Sequence, residues 1–247
     1  MTMFTPSSVR PFDGILLVDK PSGLTSHDVV DRIRRQFQFD KVGHAGTLDP
    51  QATGLLVIMI GRGTKMAEFL LAGDKTYDGT LRLGVATDTQ DAEGTPIREA
   101  DYQQVTRQQL LNEIQRRTGD ILQTPPMVSA AKRNGVPLYK LARKGQTVER
   151  QPKLIHIYEF RLLTFDPPRA TFHLRCSKGV YVRTLCADIG DALGCGAHLE
   201  QLRRMHSGDF SIEHAVPLAN LLQLNRTRLA DLMIPLHRIR RPGQPPM

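Results

Sequence analysis

Gly43-His44-Ala45-Gly46-Thr47-Leu48-Asp49-Pro50-Gln51-Ala52-Thr53-Gly54-Leu55-Leu56, with Val57-Ile58-Met59-Ile60 behind it, is the stretch that decides how the chain folds. The apolar run from Leu55 to Ile60 is short, partly β-branched and bounded by Gly54 and Gly61, which is the pattern of a buried strand. The residues before it hold too many glycines for a helix. Gly43, Gly46 and Gly54 permit a positive φ or the close approach of another backbone. Pro50 pushes Asp49 towards an extended conformation. The segment is therefore a loop on a rigid strand, carrying one carboxylate and one imidazole, as catalytic groups are often presented. A plainer reading stands beside this one: Asp-Pro opens turns, and an Asp in a glycine-rich loop commonly accepts from backbone N–H groups.

Outward from this loop, composition narrows the classes. The chain has 247 residues, with 33 Lys and Arg against 25 Asp and Glu, a formal net charge of +8. That length suffices for one large domain or two small ones around a buried core. An isoelectric point near 9.7 favours a polyanionic partner, nucleic acid first. Cys176, Cys186 and Cys195 are odd in number and include no Cys-x-x-Cys pair, which argues against a disulfide framework or zinc knuckle and for a reducing compartment. No apolar run approaches membrane-spanning length, and residues 1–10 have no apolar leader core. A cytoplasmic location without membrane contact is expected.

Along the chain, Ile15-Leu16-Leu17-Val18 reads as a strand turned by Pro21-Ser22-Gly23. Thr25 or Ser26 caps a helix through Phe37, with Val29, Val30, Ile33 and Phe37 on one face. A second helix, capped by Thr64, carries Met66, Phe69, Leu70 and Leu71. Residues 75–85 alternate as a half-buried strand with Tyr77, Leu81, Leu83 and Val85 on its apolar face; core packing alone would account for Tyr77. Residues 87–96 form a polar, acidic loop that lacks the spacing of a calcium loop. Thr106-Arg107-Gln108-Gln109 is a capping box for a helix ending before Gly119. Residues 123–150 are rich in Pro, Gly, Lys and Arg, with a short helix over 138–144; they read either as a flexible clamp on phosphates or as an exposed connection. Residues 154–165 and 170–176 pair as strands, and Ser177-Lys178-Gly179 turns into a helix with Tyr181 and Arg183 in its first turn. Residues 198–205 are expected as a short helical piece, 209–215 as a strand, and 217–222 and 226–232 as short helices. The sum is an α+β protein with a large mixed, mostly antiparallel sheet flanked by helices.

Five segments in order resemble the motifs of the TruB-type pseudouridine synthases, covering the chain from about residue 12 to 236. They are Gly14-Ile15-Leu16-Leu17-Val18-Asp19-Lys20-Pro21-Ser22-Gly23, the loop around Asp49, Lys75-Thr76-Tyr77, Cys176-Ser177-Lys178-Gly179-Val180-Tyr181-Val182-Arg183-Thr184-Leu185, and Gly194-Cys195-Gly196-Ala197-His198-Leu199 with Leu202-Arg203-Arg204. The resemblance implies the pseudouridine synthase fold, a twisted sheet with a central active-site cleft. It implies a catalytic domain over 12–236 with a thumb-like insertion at 123–150, after a loose arm at 1–11 and before a basic, Pro-rich tail at 237–247. The small C-terminal β domain usual in bacterial members is expected to be absent.

The resemblance also assigns roles. Asp49 is the nucleophile and Arg183 its ionic partner. Tyr77 stacks on the flipped uracil, Tyr181 relays the proton at the new carbon–carbon bond, and Leu202 is an apolar wall under the base. His44 fills the space that the flipped base leaves. Lys20, Lys132, Arg133, Arg143 and Lys178 are candidate RNA backbone contacts, with a structural role beside Pro21 equally open for Lys20. The implied substrate is the uridine at position 55 of tRNA, read from the shape of the T-arm stem-loop without a guide RNA. The chain is expected to act as a monomer, with no cofactor and no metal, since the isomerisation has no redox step. A non-catalytic tRNA-binding or tRNA-folding chaperone is the alternative. A glycoside hydrolase would want a second paired carboxylate, and no matching motif supplies one.

Overall fold

The computed structural model describes residues 12–129, 132–133, 135–138, 141, 145–146 and 148–239. The first half runs β1 (Gly14–Lys20), α1 (Ser26–Phe37), β2 (Val42–His44), β3 (Thr53–Ile60), α2 (Ala67–Ala72), β4 (Lys75–Leu83), β5 (Val85–Thr87), β6 (Pro96–Glu99), α3 (Arg107–Arg116) and β7 (Gly119–Gln123). The second runs β8 (Lys132–Arg133), β9 (Val136–Pro137), β10 (Lys153–Asp166), β11 (Arg169–Cys176), α4 (Val182–Ala192), β12 (Ala197–Ser207), β13 (Phe210–Ser211), β14 (Val216–Pro217), α5 (Leu218–Leu221), α6 (Arg226–Asp231) and β15 (Ile234–Pro235). The region 12–236 contains parts of two compact units, residues 1–72 with 209–247, and residues 73–208.

In the first unit, β1 and β3 are antiparallel, with Leu16 opposite Ile58 and Val18 opposite Leu56. Both faces of this pair are covered, which is why Leu55–Ile60 is apolar throughout rather than alternating. One face, Leu16, Val18, Leu56, Ile58 and Ile60, packs against Val29, Val30, Ile33 and Phe37 of α1 and against Leu218, Leu221 and Leu229. The other face, Ile15, Leu17, Leu55, Val57 and Met59, packs against Leu70 and Ile239. Thr25 caps α1 in a full capping box with Asp28, so two of the helix's orphan N–H groups are satisfied reciprocally. Strand β14 joins β1 in parallel.

In the second unit, β12, β4, β11, β10 and β7 pair in that order, every ladder antiparallel. The β10–β11 hairpin and the capping box of α3 form where expected. Helix α3 ties to α4 through Arg117, whose Nη2 donates to the Asp188 carbonyl at 2.6 Å.

Four local expectations differ from what forms. Residues 198–205 are not helical but lie in β12, with Leu199 opposite Leu81, Leu202 opposite Gly79 and Arg204 opposite Tyr77. Leu199, Leu202 and Met205 have a helix-like spacing, and two bulges in β12 break the period-two pattern that would have marked a strand. Pairing with β4 overrides the local preference. Residues 209–215 hold only the two-residue β13 and then a 3-10 turn over Ile212–His214. The second helix starts as a 3-10 turn over Gly61–Met66 before α2. Two short strands form without a sequence signal, β2 at the start of the Asp49 loop and β7 directly after the helix that ends before Gly119.

The α4–β12 junction has no spare room. A Cβ on Gly190 would stand 2.0 Å from the main-chain nitrogen of Ala197, and the Gly190 carbonyl accepts from Gly196 N at 2.9 Å. Backbone on backbone has no flexible end to give. Gly190→Ala is expected to lower stability by about 1–3 kcal/mol, read as a shift in the urea unfolding midpoint at an unchanged slope.

Candidate active site

Asp49 stands in the first unit on a loop whose flanking peptides are both pinned. On its N-terminal side, Ser26 Oγ accepts from Leu48 N at 2.8 Å and donates to the Leu48 carbonyl at 3.1 Å. On its C-terminal side, the Pro50 carbonyl accepts from Lys20 Nζ at 2.8 Å and from Gly23 N at 2.9 Å. The Asp49 carbonyl itself accepts from Ala52 N at 3.1 Å. Gly46 and Gly54 take φ values of 101° and 99°, a region that favours glycine. His44 ends β2 opposite Ile58, and Ala45 N donates to the Val57 carbonyl. The loop is thus laid along β3 and tied to the start of α1.

Lys20 corrects one expectation. Its side chain is 0% exposed, and its ammonium donates to the carbonyls of Pro21, Leu24 and Pro50 at 2.9, 2.6 and 2.8 Å. A buried ammonium needs such compensation. Lys20 is a structural tie between the turn after β1 and the Asp49 loop, not an RNA backbone contact.

The other candidates lie in the second unit. Tyr77 is buried on β4, opposite Leu174 on one side and Arg204 on the other. Leu202 is half-buried and pairs with Gly79, so the register puts it on the same face as Tyr77, one pair along. Lys75 shares that face. Burial first, and then the Arg204 charge, pull its ammonium down to about 8, while burial pushes the neighbouring Cys176 thiol up to about 12.

Tyr181 is the N-cap of α4, and Arg183 is in its first turn. The Arg183 guanidinium is buried and bonds the loop after β5: Nη1 donates to the Thr89 carbonyl at 3.1 Å and to Asp91 Oδ2 at 3.2 Å. Nη2 donates to the Val128 carbonyl at 2.8 Å. The side chains of Arg183 and Asp91 are only 6% and 7% exposed. Asp91 is held in turn, its Oδ1 accepting from Thr89 Oγ1 at 2.6 Å and its carbonyl from Thr87 Oγ1 at 2.7 Å. Lys178 is exposed in the turn before α4. Lys132 and Arg133 form the backbone of β8; Arg143, like Lys140 and Lys144, lies outside the described residues.

Sequence reading missed Ser26 and Asp91. Ser26 reads in the sequence only as a helix cap, because its partner Leu48 is 22 residues away. Asp91 sits in the loop read as merely polar and acidic; the signal available was a run of Thr and Asp without the spacing of a calcium loop. Among the described residues, no group of three or more His, Cys, Asp and Glu could hold a metal ion, and no helix is long and apolar enough to cross a membrane. A cavity of about 580 Å³ in the first unit, bordered by Phe12, Phe39, Lys41 and Arg226, opens at the Ile60 end of β3, away from the Asp49 loop.

Comparison with known proteins gives the family. The model for the TruB family pseudouridylate synthase N-terminal domain matches residues 34–182, and that for the tRNA pseudouridylate synthase B C-terminal domain matches 183–239. A tRNA pseudouridine synthase B of Syntrophotalea carbinolica is 52% identical over 83% of this chain and 67% of its own length. One of Opitutus terrae is 46% identical over 92% of this chain and 95% of its own. Among solved structures, a chain of a Cbf5-Nop10-Gar1 complex is 26% identical with a TM-score of 0.72, over 91% of this chain and 60% of that one. A chain of an H/ACA RNP bound to a substrate RNA containing 2'-deoxyuridine is 26% identical with a TM-score of 0.64, over 86% of this chain and 53% of that one.

Two outcomes follow from the geometry. Lys20→Met leaves three carbonyls without their shared donor and is expected to cost at least about 2 kcal/mol in urea unfolding. It should leave the salt dependence of tRNA binding unchanged, since no phosphate contact is lost. Asp91→Ala removes the carboxylate from a buried ion pair and is expected to lower stability by about 1–3 kcal/mol; an unfolding midpoint equal to that of the unaltered protein would contradict the buried pair.

Proposed function

The chain belongs to the TruB family of pseudouridine synthases, isomerases that act on tRNA, and we propose that it converts the uridine at position 55 of the T loop to pseudouridine, as a monomer and without a guide RNA. The observation that carries this reading is the pinning of both peptides flanking Asp49 by Ser26, Lys20 and Gly23. These ties hold the main chain that carries the carboxylate, and preorganisation is what a reacting group needs.

The reaction breaks the bond between the ribose C1′ and N1 of uracil, turns the base, joins C1′ to C5 and removes the C5 proton to solvent as N1 gains one. Atoms and electrons balance without an oxidant. The uridine must first leave its stack, at a cost of a few kcal/mol. In this reading Tyr77 stacks on the extruded uracil and Leu202, on the same face, lies beneath it. Asp49 is the nucleophile, and the bond it makes to the substrate in assisting glycosidic cleavage is released when C1′ joins C5. Tyr181 handles the proton at C5, Arg183 supplies a fixed positive charge, and His44 occupies the gap left in the RNA. Lys178 is exposed and suited to a phosphate, and Lys132, Arg133 and Arg143 extend such contacts along the T arm.

Asp49→Asn is expected to bind tRNA within about threefold of the unaltered protein and to lose product formation by at least about a thousandfold. Tritium release from tRNA labelled at uridine C5 reads the rate, and filter binding reads the affinity. Turnover at the unaltered rate would remove Asp49 from the mechanism.

A further inference from the structure

The first turn of α4 carries two of the groups assigned to the reaction, yet its N-cap residue has no capping side chain. Tyr181 is extended, with φ −101° and ψ 102°, and its own side chain caps nothing. Helix starts are normally satisfied by Ser, Thr, Asp or Asn at this position. Here the work falls to a residue 58 positions earlier. Gln123 Oε1 accepts from Tyr181 N at 2.8 Å, and Gln123 Nε2 donates to the Tyr181 carbonyl at 3.0 Å. Gln123 is 3% exposed. A carboxamide carries a donor and an acceptor side by side, so it can bind both polar atoms of one residue as a neighbouring strand would.

Gln123 is the last residue of β7, and the main chain five residues on meets the same turn, where the Val128 carbonyl accepts from Arg183 Nη2. Both ends of the segment 123–128 therefore rest on α4. The fold has other ties at this edge: β7 pairs with β10 along its length, and Arg117 bonds the Asp188 carbonyl. Loss of the clamp would leave those in place, together with the Arg183 bonds, and free the Tyr181 main chain.

We propose that Gln123 is a positioning residue for the isomerisation, its carboxamide holding the Tyr181 main chain and thereby fixing where Tyr181 stands. The proposal rests on the functional reading above for the reaction, and on the clamp alone for the geometry.

The test uses the whole chain and an unmodified tRNA transcript, with Gln123→Glu beside Gln123→Met. An ionised carboxyl at this position accepts from the Tyr181 amide but repels the Tyr181 carbonyl. The protonated carboxyl matches the carboxamide and restores both bonds, and burial raises the pH at which it forms. The kcat of Gln123→Glu, taken as a ratio to the unaltered protein at each pH, is expected to be about tenfold down near pH 8.5 and to recover towards pH 5.5. KM for tRNA should stay within about twofold. Gln123→Met should stay low throughout. The Tyr181 amide resonance should titrate in Gln123→Glu with the midpoint of the rate recovery. A flat kcat ratio, or a loss that falls in KM, overturns the proposal. If the unaltered chain makes no pseudouridine, the functional reading fails, and the amide alone decides the clamp: no titration in Gln123→Glu overturns it.

Discussion

Three carbonyls, those of Pro21, Leu24 and Pro50, share the buried ammonium of Lys20. An unpaired charge in that position would be costly, so the turn after β1 and the loop carrying Asp49 hold their places together. Ser26 repeats the arrangement on the other side of Asp49 and joins the loop to the first residue of α1. These ties depend in turn on the apolar packing of α1 against β1 and β3, which sets where Ser26 can be. Burial fixes the helix, the helix fixes the hydroxyl, and the hydroxyl fixes a peptide beside the carboxylate.

The second unit solves a similar problem with charge. Arg183 is too buried to stand alone, and Asp91 with the carbonyls of Thr89 and Val128 compensates it. Ion pairs of this kind add little net stability when whole and cost several kcal/mol when halved. What they supply is a direction: a guanidinium with its bonds spoken for does not wander between rotamers. The loop 87–96, which has few apolar residues, is ordered by its own hydroxyl–carboxylate bonds and by main-chain bonds between Gln90, Ala92 and Leu199.

The long, regular elements were legible in the sequence because their signals are local. The stripe of Val29, Val30, Ile33 and Phe37 and the alternation of Tyr77, Leu81 and Leu83 each point to one period. The Asp49 loop was legible from its glycines and Pro50. The β12 strand was not, because its two bulges erase the alternation and its partner β4 is more than a hundred residues away. The support of the site was the least legible part. Ser26 with Leu48, Asp91 with Arg183 and Gln123 with Tyr181 are separated by 22, 92 and 58 residues, and no local pattern announces such a pair. Lys20 could be read either way from sequence; only the count of carbonyls around its ammonium decides.

The most direct test of the account is to incubate the protein with an unmodified tRNA transcript, without guide RNA or added metal, and map pseudouridine by chemical tagging and primer extension. The account predicts one new stop, at the T-loop uridine. A stop at another uridine would keep the chemistry and discard the site; tight binding with no stop anywhere would contradict the assignment of an isomerase and leave a tRNA-binding protein.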